Sequence, residues 1–303
     1  MIDNFTAPLF LDLLGIYILM GVSWYIPASC GQYSFGHAGL MGIAAYLSGA
    51  MTTILGLPFF IAIIAGMGMS CLTGVVFGAV GLKSKDIYAA IMTLALAQIA
   101  IVVFKAVRAT GGIMGFLVTP KVTPLIVWVT VVLCLVFTWR LEKSRLGRTF
   151  EAIKSSNIIS ATLGLNTIYY KIIAFGLGGA MAGLAGVFYA HCISWIEPHT
   201  FTLWLSVLCF TFAIVGGWET MWGAVLGAAG LTMLLEVLRF ASIWRPAIYG
   251  GLIILVLNFR PSGLITRQNL RDVERLFSNV GGLCLAIRRK NGKRISVEKG
   301  EVD

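Results

Sequence analysis

The 303-residue chain is 58% hydrophobic and only 12% charged, with a mean hydropathy of +0.89, whereas a soluble domain carries about 25% charged residues. That balance excludes a water-soluble enzyme or binding domain. The net charge of +10 is concentrated in loops and the tail, the pattern of a membrane protein's cytoplasmic loops rather than of a nucleic-acid-binding surface.

The N-terminus, MIDNFTAPLF, carries Asp3 and no basic stretch, so no cleavable signal is expected. A first span is predicted over about Leu9–Ile26. The glycine-rich start Gly31–Gly36 then runs into an apolar stretch that reaches Gly56, and Leu57-Pro58 turns the chain into a third span, Phe59–Leu82. Lys83–Asp86 breaks the pattern before Ile87–Phe104, and a polar segment with Thr110-Gly111-Gly112 precedes a fifth span, Val122–Trp139. The next polar stretch, 140–171, is the longest before the tail. Ile172–Ser194 follows, and Phe201–Leu238 is too long for one helix, so GGWET (Gly216–Thr220) splits it into Leu203–Val215 and Met221–Leu238. A last run covers Trp244–Phe259. The fold expected is all-α: a polytopic transmembrane helical bundle of about 8–10 spans with broken or re-entrant segments.

Basic residues set the orientation. With 140–171 inside, all but five of the 23 Lys and Arg (Lys105, Arg108, Lys121, Arg239 and Arg245) fall on the cytoplasmic side. The N-terminus is then outside and the C-terminus cytoplasmic. Residues 1–264 read as a membrane-embedded domain with a cytoplasmic loop at 140–171, and 265–303 as a basic cytoplasmic tail near anionic lipid.

Gly74-x-x-x-Gly78, Gly179-x-x-x-Gly183 and Gly223-x-x-x-Gly227 place small residues one helical turn apart and favour internal helix packing over an oligomer interface. Polar Ser34, His37, Glu219 and Glu236 lie in or beside apolar runs, where an ionisable group is either functional, such as a proton relay, or hydrogen-bonded near a span end. Neither the six cysteines nor His191, Glu197 and His199 make a metal-ligand pattern. Enzyme signatures are missing: the one Gly-Lys pair, Gly292-Lys293, has Ile287 where a phosphate loop needs its first glycine, and neither H-E-x-x-H nor G-x-S-x-G occurs. Any ATP that drives transport must bind another subunit.

Within 140–171, Ser155, Ser156 and Asn157 offer N-cap oxygens for a short helix over Ile158–Leu163, Gly164 suits its C-terminal exit, and Asn166 can cap the helix that enters the membrane. Ile158, Ala161, Thr162 and Leu165 share a face. Its cover is either lipid and a neighbouring span or a soluble partner.

The chain resembles the branched-chain amino acid permease family of ABC importers, nearer the LivM type than the LivH type. The resemblance is carried by GQYSFGHAGLMGIAAY (31–46), IYAAIMTLALAQI (87–99), TGG (110–112), the long block 144–191, IVGGWETMWGAVLGA (214–228) and YGGLIILVLNFRPSGL (249–264). It implies a permease subunit that is not itself an enzyme and holds no cofactor. A second LivH-type permease, two cytoplasmic ATPase subunits that bind ATP and Mg, and a periplasmic binding protein are its implied partners in the inner membrane. Leucine, isoleucine or valine is the implied substrate, with urea, short amides or other amino acids carried by relatives; a proton-coupled secondary transporter is the rival class. Carried over by position, Gly147, Arg148, Ala152, Asn157, Ala161, Gly164 and Lys171 are the ATPase-coupling candidates. Ser34, His37, Thr93, Thr110, Gly111, Gly216, Gly217 and Glu219 are the candidates for the translocation path. The chain departs from the family at Lys154-Ser155-Ser156, usually an Arg followed by a more acidic segment, and at Ile113-Met114-Gly115, commonly Ser-Asp-Gly-like.

Overall fold

A computed structural model describes residues 3–81, 86–119, 122–238, 244–259 and 263. The basic tail expected from 265, together with Lys83, Lys85, Lys121 and Arg239, lies outside the described residues. Among the described residues, five helices are long and apolar enough to cross a membrane: α1 (Asp3–Ser29), α3 (Phe59–Gly81), α4 (Asp86–Ala106), α5 (Pro124–Lys143) and α8 (Thr167–Ile193). Between them lie α2 (His37–Thr53), α6 (Arg145–Ser155) and α7 (Asn157–Thr162); after them come α9 (Leu203–Gly216), α10 (Met221–Val237) and α11 (Arg245–Phe259).

α9 and α10 meet at 118° and would count as a sixth, broken span. The expected break at Gly216–Thr220 is therefore present, as is the non-helical stretch before His37. The count of long spans is lower than the expected eight to ten because α2, α9, α10 and α11 have only 14 to 17 residues. At about 1.5 Å per residue, such helices fall short of the roughly 30 Å hydrocarbon core.

Glycine sets the centre of the bundle. α3 and α8 pack so closely that a Cβ added at Gly74 would lie 3.2 Å from the Gly179 Cα, and one at Gly183 would lie 3.2 Å from the Gly66 carbonyl. Ser70 of α3 hydrogen-bonds the Gly179 and Leu40 carbonyls at 2.7 and 3.1 Å, fastening α3 to α8 and to α2. Gly216, Gly223 and Gly227 let α9 and α10 touch in the same way. The G-x-x-x-G motifs are thus used for packing inside this chain, as close backbone approach in lipid requires.

α1, α2 and α8 are largely buried. α3, α4 and α5 turn apolar faces outward through Phe60, Leu72, Ile99, Val102, Leu125 and Leu133, all more than half exposed. Water would not tolerate so large an apolar surface; lipid does. At one end of the bundle a two-stranded antiparallel pair, β1 (Phe116–Leu117) and β2 (Trp195–Ile196), joins the start of α5 to the end of α8. At the opposite end, α6 and α7 link the other ends of the same two helices.

Candidate functional site

The α6–α7 connection is built from sequence signals of two kinds. Ser144 caps α6 by accepting a hydrogen bond from the Gly147 amide at 3.3 Å. Leu146, Phe150 and Ile153 recur at i, i+4 and i+7, and the last two are buried against Cys30, Ala174, Tyr170 and Ile173. Ser156, the residue between the helices, accepts from the Ile159 amide and starts α7. Gly164 leaves α7 at φ +84°, a left-handed conformation that glycine adopts without penalty. Asn166 Oδ1 then accepts from the Tyr169 amide to begin α8.

α7 projects. Ile158, Ile159 and Leu163 are 78%, 61% and 75% exposed, while Ser160 is the buried residue of the helix. The expected apolar face (Ile158, Ala161, Thr162, Leu165) is only partly right: Leu165 is half-buried, and Ile159 and Leu163 complete the outward surface. Arg145 and Arg148 are exposed on the neighbouring α6.

Of the coupling candidates, Arg148, Ala152, Asn157, Ala161 and Gly164 are exposed. Gly147 is half-buried, and a side chain there would strike the backbone at the end of α5. Lys171 is different. α8 begins at Thr167, capped by Asn166 as the sequence suggests, and Lys171 in its first turns is carried into the packed wall, 7% exposed and near enough to act on Cys30. Burial pushes the Cys30 thiol up to about 12, with the Lys171 charge opposing that rise.

The two helix breaks come together at this same end. In the first, the Phe35 amide donates to Thr93 Oγ1 (3.1 Å), the Gly36 amide to Ser34 Oγ (3.1 Å) and the Ala38 amide to Ser206 Oγ (3.2 Å). The Trp24 indole donates to the Ser34 carbonyl at 2.8 Å, and His37 Nε2 donates to the Ser23 carbonyl at 3.1 Å. Hydroxyls from α4 and α9 thus satisfy backbone groups that an unwound segment leaves without helical partners, as burial demands. Ser34, His37 and Thr93 form one cluster.

At the second break, Gly216 and Gly217 are buried, Gly217 at φ +119°, Glu219 is half-buried, and Thr220 Oγ1 caps α10 through the Gly223 amide. An aromatic group spans both breaks: Trp24 with Tyr33 and Phe210, Phe35 with Phe210, and Tyr33 with Trp218, at centroid separations of 5.0 to 6.1 Å. Lys154, in the last turn of α6, places its Nζ 4.0 Å from the Trp218 ring centroid. The sequence marks Lys154 only as part of a departure from the family and does not link it to these aromatic residues, since only the fold brings residues 24, 33, 154, 210 and 218 together.

Thr110 and Gly111 do not join this group. They lie at the β1–β2 end, where Thr110 lines an apolar cavity of about 270 Å³ with Ile43, Tyr46, Leu47, Ala50, Met69, Phe104 and Val107. There Tyr46 stacks on Phe104 at 4.3 Å. His191 is also committed to the fold: Nδ1 donates to the Val187 carbonyl (2.8 Å), and Nε2 is 3.0 Å from Thr52 Oγ1.

The family model described as "Branched-chain amino acid transport system / permease component" matches residues 9–257. The chain is 27% identical over 296 residues to the high-affinity branched-chain amino acid permease LivM of Escherichia coli K12, covering 84% of this chain and 69% of that one. LivM of Salmonella typhimurium LT2 matches to the same extent. The autoinducer 2 import permease LsrC of Salmonella paratyphi B is 30% identical over 256 residues, covering 82% of this chain and 66% of that one. No solved structure matches the chain.

Proposed function

Because the chain belongs to the branched-chain amino acid transport permease family, we propose that it is one permease half of an ATP-driven importer carrying leucine, isoleucine or valine. It pairs with a second, LivH-type permease, two cytoplasmic ATPase subunits that bind ATP and Mg, and a periplasmic binding protein. The chain itself holds no cofactor. It sits in the inner membrane with the N-terminus outside and the α6–α7 end and the C-terminus in the cytoplasm.

The single observation that carries this reading is α7: a short capped helix presenting Ile158, Ile159 and Leu163 beside the exposed Arg145 and Arg148. An apolar knob on a basic platform suits a groove in a soluble ATPase with acidic surroundings. ATP-driven closure of the ATPases moves this knob, and the helices shift between two packings that expose the path to opposite sides. The path runs by the two breaks, where Ser34, His37, Thr93, Gly216, Gly217 and Glu219 lie, and reaches Thr110 and Gly111 at the outer end.

Co-expression with the ATPase subunits, followed by affinity purification and leucine uptake in vesicles, tests the reading. Wild type retains both ATPases and takes up leucine; Gly164→Pro combined with Arg148→Glu loses both. Normal co-purification and uptake in that double variant would rule out the coupling role. The likeness to autoinducer 2 permeases supports a second reading of the solute, and competition of leucine uptake by autoinducer 2 and by urea separates the two.

A further inference from the structure

The two helix breaks are the proposed path, and the α6–α7 connection is the proposed partner surface. Here a single side chain touches both. Lys154 lies in the last turn of α6, two residues before the Ser156 link to α7. Its backbone packs on the first break: Gly31 stands at φ +76°, and a Cβ there would lie 3.3 Å from the Lys154 Cα. Its ammonium lies on the Trp218 ring in the second break. Trp218 in turn meets Tyr33, and Tyr33 meets Trp24, which hydrogen-bonds the Ser34 carbonyl. A continuous set of contacts therefore runs from the outward-facing α7, through α6, to both interruptions of the bundle.

α6 is suited to carry displacement as a body. Its buried face, Phe150 and Ile153, is held against Cys30 and Ala174 at the junction of α1 and α8. The end of α5 is tied to α1 by the Tyr25 hydroxyl, which donates to Glu142 Oε1 at 3.2 Å. Motion of α7 is thus passed to the α6 C-terminus rather than absorbed in a slack loop. A cation held over an aromatic face is attracted by the ring quadrupole, tolerates small sliding, and is broken by separation. That combination suits a releasable hold.

We propose that Lys154 is a positioning residue that transmits ATPase-driven movement of α6–α7 to the aromatic closure formed by Trp24, Tyr33, Phe35, Phe210 and Trp218, gripping Trp218 while that end is shut. The inference rests on the ATPase-coupled reading of the chain. It adds that the contact with the path is made by α6, through the segment at which this chain leaves its family's pattern. A neutral side chain of similar reach at position 154 leaves the docking surface on α7 intact but disconnects it from the closure. The expected signature is assembly without transport.

The test uses the complete complex of permeases, ATPases and binding protein in vesicles, with leucine as the transported probe. Lys154→Met retains both ATPase subunits on purification, while leucine uptake falls about tenfold, the order expected for loss of one partly desolvated cation–π contact. Lys154→Arg keeps the charge over the ring and keeps most of the uptake. Trp218→Leu reproduces the Lys154→Met loss, and the double variant is no worse than either single one, because one shared contact is removed once. The proposal is overturned by normal uptake in Lys154→Met, by co-purifying ATPase lost together with uptake, by an equal loss in Lys154→Arg, or by losses that multiply in the double variant. A wild-type chain that retains no ATPase sinks the importer reading itself, and does so before any variant is compared.

Discussion

Ser70 Oγ lies 2.7 Å from the Gly179 carbonyl, a side chain of α3 reaching the backbone of α8 at a point where neither helix has room for another carbon. A Cβ on Gly179 would stand 2.5 Å from the Ser70 carbonyl. The group met is a backbone carbonyl, which cannot yield as a flexible side chain would. Gly179→Leu is expected to destabilise the purified permease by about 1–3 kcal/mol or more through overpacking. Ser70→Ala removes only the hydroxyl's contacts with the Gly179 and Leu40 carbonyls, about 1 kcal/mol. Thermal melts in detergent should rank wild type above Ser70→Ala, and Ser70→Ala above Gly179→Leu; a Gly179→Leu variant as stable as wild type contradicts the close packing of α3 on α8.

Ile158 and Leu163 make no use of the fold around them. Ile158→Asp with Leu163→Asp should leave the melting of the isolated permease within about 0.5 kcal/mol of wild type. Leucine uptake by the assembled complex should fall at least about tenfold, within the range of a coupling free energy between sites. A drop in melting temperature without a loss of uptake would assign the surface to folding instead.

Gly164 stands free of side-chain neighbours, yet its φ is +84°. Gly164→Ala therefore costs about 1 kcal/mol from the backbone alone, and Gly164→Asn less, because asparagine tolerates the left-handed region. Limited proteolysis in the 140–171 connection should quicken in that order, Ala ahead of Asn. Identical digestion of all three forms would mean the α7 exit is not held in this conformation.

Cys30 is fully buried, and its thiol is pushed from an ordinary 9.0 to about 12. The folded state therefore prefers the neutral thiol. The sign follows: folding loses nothing below about pH 9, and stability declines above it as the unfolded thiol ionises while the folded one does not. Cys30→Ala should flatten that alkaline decline. At neutral pH, maleimide should label Cys30 only after denaturation, and mass spectrometry of the labelled peptide reads this directly.

ATP dependence separates the importer from a secondary transporter. Depleting ATP while a proton gradient is maintained should stop leucine uptake. Uptake that survives depletion points to proton coupling.

Much of this architecture is legible in local sequence. GGWET divides one overlong run because two glycines end a helix and Thr220 caps the next, and the α9–α10 break falls there. Ser156, Gly164 and Asn166 bound α7 and start α8 for equally local reasons. α6 is concealed by its charge: Arg145, Arg148, Glu151 and Lys154 read as loop, while Leu146, Phe150 and Ile153 carry a helical period through them. The site is less legible than the fold because its parts are distant in the chain. Nothing near Lys154 announces Trp218, and nothing near Lys171 announces that the start of α8 is packed inside. Side-chain periodicity reports which face is apolar, not what lies opposite it.

The β1–β2 pair gives α5 and α8 a fixed pivot. Phe116 opposite Ile196, with the Val118 amide on the Ser194 carbonyl at 2.8 Å, pins the two helices at the end remote from α6 and α7. If α7 is driven as proposed, that clasp favours a swing of α5 and α8 about it over a slide of one past the other. With arms of about 30 Å, from 20 residues at 1.5 Å each, such a swing would move the end beside the two breaks most and the end near Tyr46 and Thr110 least. On that proposal the β1–β2 end is not opened by the push itself, and its opening needs a separate cause.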